Sequence, residues 1–142
     1  MGDGHYDSVR AVGANIAWVA LGGALGSVAR YLVGVAAGRA FPLLAFPLGT
    51  LLVNVPGCFL IGLVHQLALQ TARVPQDVRL FLTTGILGGF TTYSSFDYEL
   101  TDLARRGAWG LSAAYLGLTV AGGLVAGIAG IACAGWIATR GG

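Results

Sequence analysis

Thr50 and Asn54 stand four residues apart inside an otherwise apolar stretch. On a helix that spacing puts both on one face. Thr offers a hydroxyl donor and Asn an amide NH2 donor. Two readings of the pair stand at this point. One is an interhelical hydrogen bond that glues a bundle. The other is a lining for a partly dehydrated anion, which needs donors in place of water. Tyr115 and Thr119, again one turn apart, extend such a donor track on a later apolar stretch that also carries Ser112. Tyr93 and Phe96 lie three apart in the run Thr91-Thr92-Tyr93-Ser94-Ser95-Phe96. They are either ordinary aromatic packing or rings whose electropositive edges face an anion without a formal charge. A fixed cation would hold a small hard anion too tightly for fast exit. Arg30 either snorkels to the interface or gathers anions in a vestibule. Asp97, Glu99 and Asp102 end a span near water, or Glu99 bonds the backbone or a polar neighbour inside the bundle.

These residues need elements to hold them, and the composition says which. The chain has 142 residues, of which 56% are hydrophobic and only 10% charged. Its mean hydropathy is +0.76. Globular proteins average about 25% charged residues. A soluble domain of this size would not hide so much apolar surface, so the expectation is an integral membrane protein in a lipid bilayer, all-α, with one domain. Four apolar segments are long enough to cross: about Gly13–Ala37, Pro47–Leu69, Leu80–Leu103 and Ala108–Ala138. Residues 1–12 read as a short mobile N-terminal tail ahead of a transmembrane domain over 13–142. Asp3 and Asp7 argue against a signal peptide.

The third segment breaks itself. Gly85, Gly88 and Gly89 precede Thr91, Thr92, Ser94 and Ser95. Glycine costs about 1 kcal/mol relative to alanine in a helix interior. Thr and Ser add side-chain bonds that compete with the helical ladder. Unwound backbone survives in a membrane only where protein or a watery cavity covers it. Broken helices at mid-membrane are where ion sites are built, and their exposed carbonyls suit a cation such as Na⁺.

Orientation is undecided by charge. With four spans, Arg10, Arg73, Arg79 and Arg140 fall on one side, and Arg39, Arg105 and Arg106 on the other, joined by Arg30 if it snorkels that way. The positive-inside rule needs an excess on one side. Either one or two positions decide, or the chain inserts both ways and permits an antiparallel homodimer. Gly22, Gly23 and Gly26, with Gly123 and Gly127, add small-residue patterns that let helix backbones approach closely.

Other chemistry finds little support. A net charge of +2 is too weak and scattered for nucleic-acid binding. Cys58 and Cys133 read as packing residues without metal spacing. His5 and His65 read as structural or interfacial. Neither a nucleotide loop nor a nucleophile constellation is present, so an enzyme is not expected.

These residues resemble the Fluc (CrcB) fluoride channel family over nearly the whole chain. The first segment carries Gly22-Gly23-Ala24-Leu25-Gly26 and then Arg30-Tyr31. The second carries Gly49-Thr50, then Asn54 and Gly57. The third carries Gly88-Gly89-Phe90-Thr91-Thr92-Tyr93-Ser94-Ser95-Phe96 and then Glu99, a long and specific signature. The resemblance implies a fluoride-selective channel in the plasma membrane (the inner membrane of a bacterium) that exports fluoride down its electrochemical gradient. It implies an antiparallel, dual-topology homodimer with two pores. It implies a structural Na⁺ at the dimer interface, held by the carbonyls of Gly88 and Thr91. By resemblance the pore is lined by Asn54, Thr50, Tyr93, Phe96, Ser94, Ser95, Tyr115 and Thr119, with Arg30 in the vestibule. Three departures stand out: Tyr93 where the family has phenylalanine, Ser95 where it has threonine, and Pro56 beside Gly57. The alternatives are a small dual-topology proton-coupled multidrug exporter, or one inactive half of a heterodimeric fluoride channel. The first would carry an acid in its first span, which is lacking here. A non-transporting scaffold would not need the glycine break.

Overall fold

The computed structural model describes residues 3–71 and 74–140, with side chains from residue 12 onward apart from residue 71. The side chains of His5, Arg10 and Arg73 lie outside that description, as do residues 1–2. Among the described residues the order is α1 (Asp3–Ala40), α2 (Leu48–Thr71), α3 (Gln76–Leu80), a π-helical stretch (Phe81–Leu87), α4 (Gly88–Phe90), α5 (Tyr93–Arg105) and α6 (Trp109–Arg140). All the regular structure described is helical. The stretches Val12–Ala40, Leu48–Gln70 and Trp109–Arg140 are each long and apolar enough to cross a bilayer. The chain is a multi-pass membrane protein.

Helix α1 starts at Asp3, ahead of the Gly13 expected for the first span. Helix α2 runs on through Pro56. Helix α5 ends in a Schellman-type turn. Gly107, at φ +78°, supplies the left-handed residue. Its N–H donates to the Ala104 carbonyl at 3.0 Å, and the Ala108 N–H donates to Leu103 at 3.0 Å.

The break in the third segment falls later than its glycines suggest. Gly88 is helical at φ −64°, ψ −37°. The chain leaves the helix at Thr91 (φ −79°, ψ 157°) and Thr92 (φ −152°, ψ 123°). The glycines serve packing instead. A Cβ on Gly89 would stand 2.5 Å from the Gly23 carbonyl oxygen, and one on Gly26 would run into the Ile86 carbonyl. Helix α1 therefore lies backbone to backbone along the π-helical stretch and α4. Close packing offsets the helical cost of glycine.

Helix α6 packs along α2. Its buried residues Ser112, Tyr115, Thr119, Gly123, Gly130 and Ala134 form one stripe at helical spacing. Helix α5 closes the upper part of that pair, where Phe96, Leu103 and Tyr115 make a small core with Phe46, Leu51, Leu100 and Ala108 around it.

Candidate functional site

Asn54 holds the break. Its Nδ2 donates to the Thr92 carbonyl at 2.9 Å, and its Oδ1 accepts from the Thr92 N–H at 2.8 Å. One side chain from α2 thus satisfies both backbone groups of a residue that has left the ladder. An unpaired buried backbone group would otherwise cost about 1–3 kcal/mol. Thr92 in turn caps α5. Its Oγ1 accepts from the Ser95 N–H at 3.1 Å and donates to Ser95 Oγ at 3.1 Å, with Ser94 Oγ at 3.4 Å. Thr91 donates its hydroxyl back to the Leu87 carbonyl at 2.8 Å, and its methyl fills the space that Gly57 leaves on α2.

Two turns into α5, Glu99 gathers the other donors. Oε1 accepts from Thr50 Oγ1 at 2.9 Å. Oε2 accepts from the Tyr115 hydroxyl at 2.7 Å. The carboxylate therefore joins α2, α5 and α6 through its two oxygens. This decides between the two placements open to Glu99 from the sequence: it bonds polar neighbours inside the bundle. Asp102 instead pairs with Arg106 at 2.7 Å near the turn. Ser112 donates to the Leu100 carbonyl at 3.1 Å. Thr119 differs from all of these. It is only 9% exposed, and its hydroxyl has no hydrogen-bond partner among the described residues.

The aromatic rings form a ladder. Tyr93 and Phe96 lie 5.9 Å apart between ring centres, and Phe96 and Tyr115 5.1 Å. Tyr115 and Phe46 are 5.4 Å apart at 83°, edge to face. Tyr93 is 79% exposed, whereas Tyr115 is fully buried.

Two hollows flank the ladder. A cavity of about 300 Å³ is lined by Arg30, Phe46, Thr50, Thr92, Ser95 and Glu99, among others. An open, mainly apolar groove of about 720 Å³ is lined by Asn54, Gly88, Thr91, Tyr93, Phe96 and Thr119, among others. Thr92 borders both. The sequence-derived residues thus divide. Arg30, Thr50 and Ser95 face the cavity. Asn54, Gly88, Thr91, Tyr93, Phe96 and Thr119 face the groove. Tyr115 is sealed between them, and Ser94 is exposed at the start of α5. Sequence reasoning did not single out Phe46, which comes from the α1–α2 loop and carries no polar signal. Nor did it identify Glu99 as the hub, since three acids in a row look alike until the helix face is known.

Comparison with known proteins agrees with the resemblance in the sequence. Residues 17–131 match the family described as CrcB-like protein, Camphor Resistance (CrcB). A protein of Anaeromyxobacter sp. (strain K), named fluoride-specific ion channel FluC, is 52% identical over 125 residues, covering 88% of this chain and 98% of that protein. A protein of the same name from Agrobacterium fabrum is 52% identical over 119 residues, covering 83% and 94%. One from Chlorobium chlorochromatii is 46% identical over 126 residues, covering 88% and 95%.

Proposed function

The chain belongs to the CrcB family, and from that premise we propose that it is a fluoride-selective channel that lets fluoride leave the cell down its electrochemical gradient. The observation that carries this reading is the line of neutral donors between the cavity and the groove: Thr50, Tyr115, Asn54 and Thr119, the last without a partner among the described residues. Neutral donors replace the water around a small anion without trapping it. Arg30 raises the local anion concentration in the cavity. The edges of Tyr93 and Phe96 offer further weak positive potential.

Glu99 sets the terms of passage. Its carboxylate holds the two donors, Thr50 and Tyr115, that an anion would use. A fluoride ion therefore takes those hydroxyls only as the carboxylate yields them. Repulsion between the two anions opposes a long stay there and so favours release.

The functional unit in this reading is an antiparallel homodimer of four-span subunits with dual topology. The balanced arginine count supports it, and so does the extended backbone at Thr91 along the groove, because unwound backbone in a membrane needs protein or a watery cavity over it. The same groove carries the residues for a structural Na⁺. The Thr92 N–H, which an unbroken helix would direct to the Gly88 carbonyl, goes to Asn54 instead. That frees the Gly88 carbonyl, and Thr91 is extended beside it. Both residues line the groove, and carbonyl oxygens suit a hard cation. Bound there, the ion would offset the carbonyl dipoles of the break.

The test is fluoride efflux from proteoliposomes holding the purified protein alone, read by electrode, with chloride followed in parallel. Fast fluoride loss without chloride loss is expected. Folded protein that passes neither ion refutes a self-sufficient channel.

A further inference from the structure

Phe46 lines the 300 Å³ cavity and packs its ring against Tyr115. It sits in the loop between α1 and α2, half-buried. Tyr115 does not line that cavity and is fully buried. The Phe46 ring meets Tyr115 edge to face at 5.4 Å between centres, and the Phe96 ring lies 5.1 Å from it. Two rings thus pack on the phenol whose hydroxyl bonds Glu99 at 2.7 Å.

The loop backbone is built to keep the ring there. Pro47 follows Phe46 and restricts it to extended conformations. The Phe46 carbonyl accepts from the Leu48 N–H at 2.7 Å as α2 begins. The ring also packs against the core of Phe96, Leu103 and Tyr115.

We propose that Phe46 is a positioning residue for anion passage, holding the Tyr115 phenol on Glu99 and limiting the access of cavity water to that phenol. The inference rests on the channel reading above and adds to it a residue outside the donor line. Without the ring, water from the cavity reaches the phenol and competes with the carboxylate for its hydroxyl. An anion then passes this point in a wider, wetter channel. Fluoride slows because its donors are no longer held in place, and a larger anion is no longer refused by size and dehydration.

Two variants of the full chain test this in proteoliposomes: Phe46→Leu, which keeps apolar bulk but removes the aromatic edge, and Phe46→Tyr, which keeps the ring. Phe46→Leu is expected to lower fluoride efflux roughly tenfold and to raise the chloride-to-fluoride ratio. Phe46→Tyr is expected to restore both toward wild type. Leucine behaving as wild type in both rates overturns the proposal. So does an equal fluoride loss in both variants with an unchanged ion ratio, which is the signature of packing alone. A wild-type chain that passes no fluoride overturns the channel reading itself, and this inference with it.

Discussion

The seam between α1 and the third segment and the seam between α2, α5 and α6 solve opposite problems. In the first, side chains are removed: Gly22, Gly26, Gly85 and Gly89 let two backbones touch. In the second, side chains are added: Thr50, Asn54, Glu99 and Tyr115 exchange hydrogen bonds across three helices. At these glycines the first seam has no rotamers to rearrange, and it fixes where the broken segment stands. The second holds groups that can exchange partners. A site that must release its ion quickly is better built from exchangeable bonds on a frame that does not yield. The frame is also what places Thr92 within reach of Asn54.

The comparison breaks first at Gly26. A side chain there meets the Ile86 backbone, which has nowhere to move. Overpacking typically costs about 1–3 kcal/mol, and a backbone collision belongs at or beyond the top of that range. Gly26→Val should abolish recovery of folded, monodisperse protein in detergent. Gly23→Ala is the control, because its added Cβ meets nothing within 4 Å; it should elute as wild type. Equal recovery of both variants would mean that the seam is not the frame.

Asn54 comes next, since it belongs to both sides of the contrast. Asn54→Ala removes a donor from the groove and also leaves the Thr92 N–H and carbonyl without a partner. Each costs about 1–3 kcal/mol. Fluoride efflux should fall at least about tenfold, with a lowered melting temperature. Unchanged melting with lost flux would show that water replaces Asn54 at the break, and that its role is in the pathway alone.

These residues also mark how far the sequence could be read. Thr50 and Asn54 were legible because polar groups in an apolar run are costly and their spacing assigns a face. The unwound segment was legible for a similar reason, yet its position was not. Helix propensity put the break at the glycines, whereas packing against α1 keeps them helical and moves it to Thr91 and Thr92. Glu99 was visible as an unexplained acid. Its role depends on Tyr115 arriving from α6, which no local pattern encodes. Phe46 left no signal at all, since a phenylalanine in an apolar loop is unremarkable until its neighbour is known.

Thr119 gives a cleaner separation of stability from passage than Asn54. Its buried hydroxyl has no protein partner among the described residues to lose. Thr119→Val keeps the shape and removes an unsatisfied group. Stability should hold or rise by about 1 kcal/mol, while fluoride efflux falls a few-fold. A fall in melting temperature would mean that this hydroxyl is bonded in the assembled protein, and the donor line would then lose a member.

The smallest expected effect is at Tyr93, and it tests whether the rings or their polar atoms matter at the groove. Tyr93 is 79% exposed, and its ring stands 5.9 Å from Phe96. If the ring edge is what the anion meets, Tyr93→Phe leaves that edge in place and removes only a hydroxyl. Fluoride efflux should be preserved or rise by no more than about twofold, since one fewer donor shortens the stay of the ion. Melting should not change, because the Tyr93 hydroxyl makes no hydrogen bond among the described residues. A complete loss of flux would instead make the phenol a required donor. The exchangeable seam would then extend past Asn54 to the exposed end of the ladder.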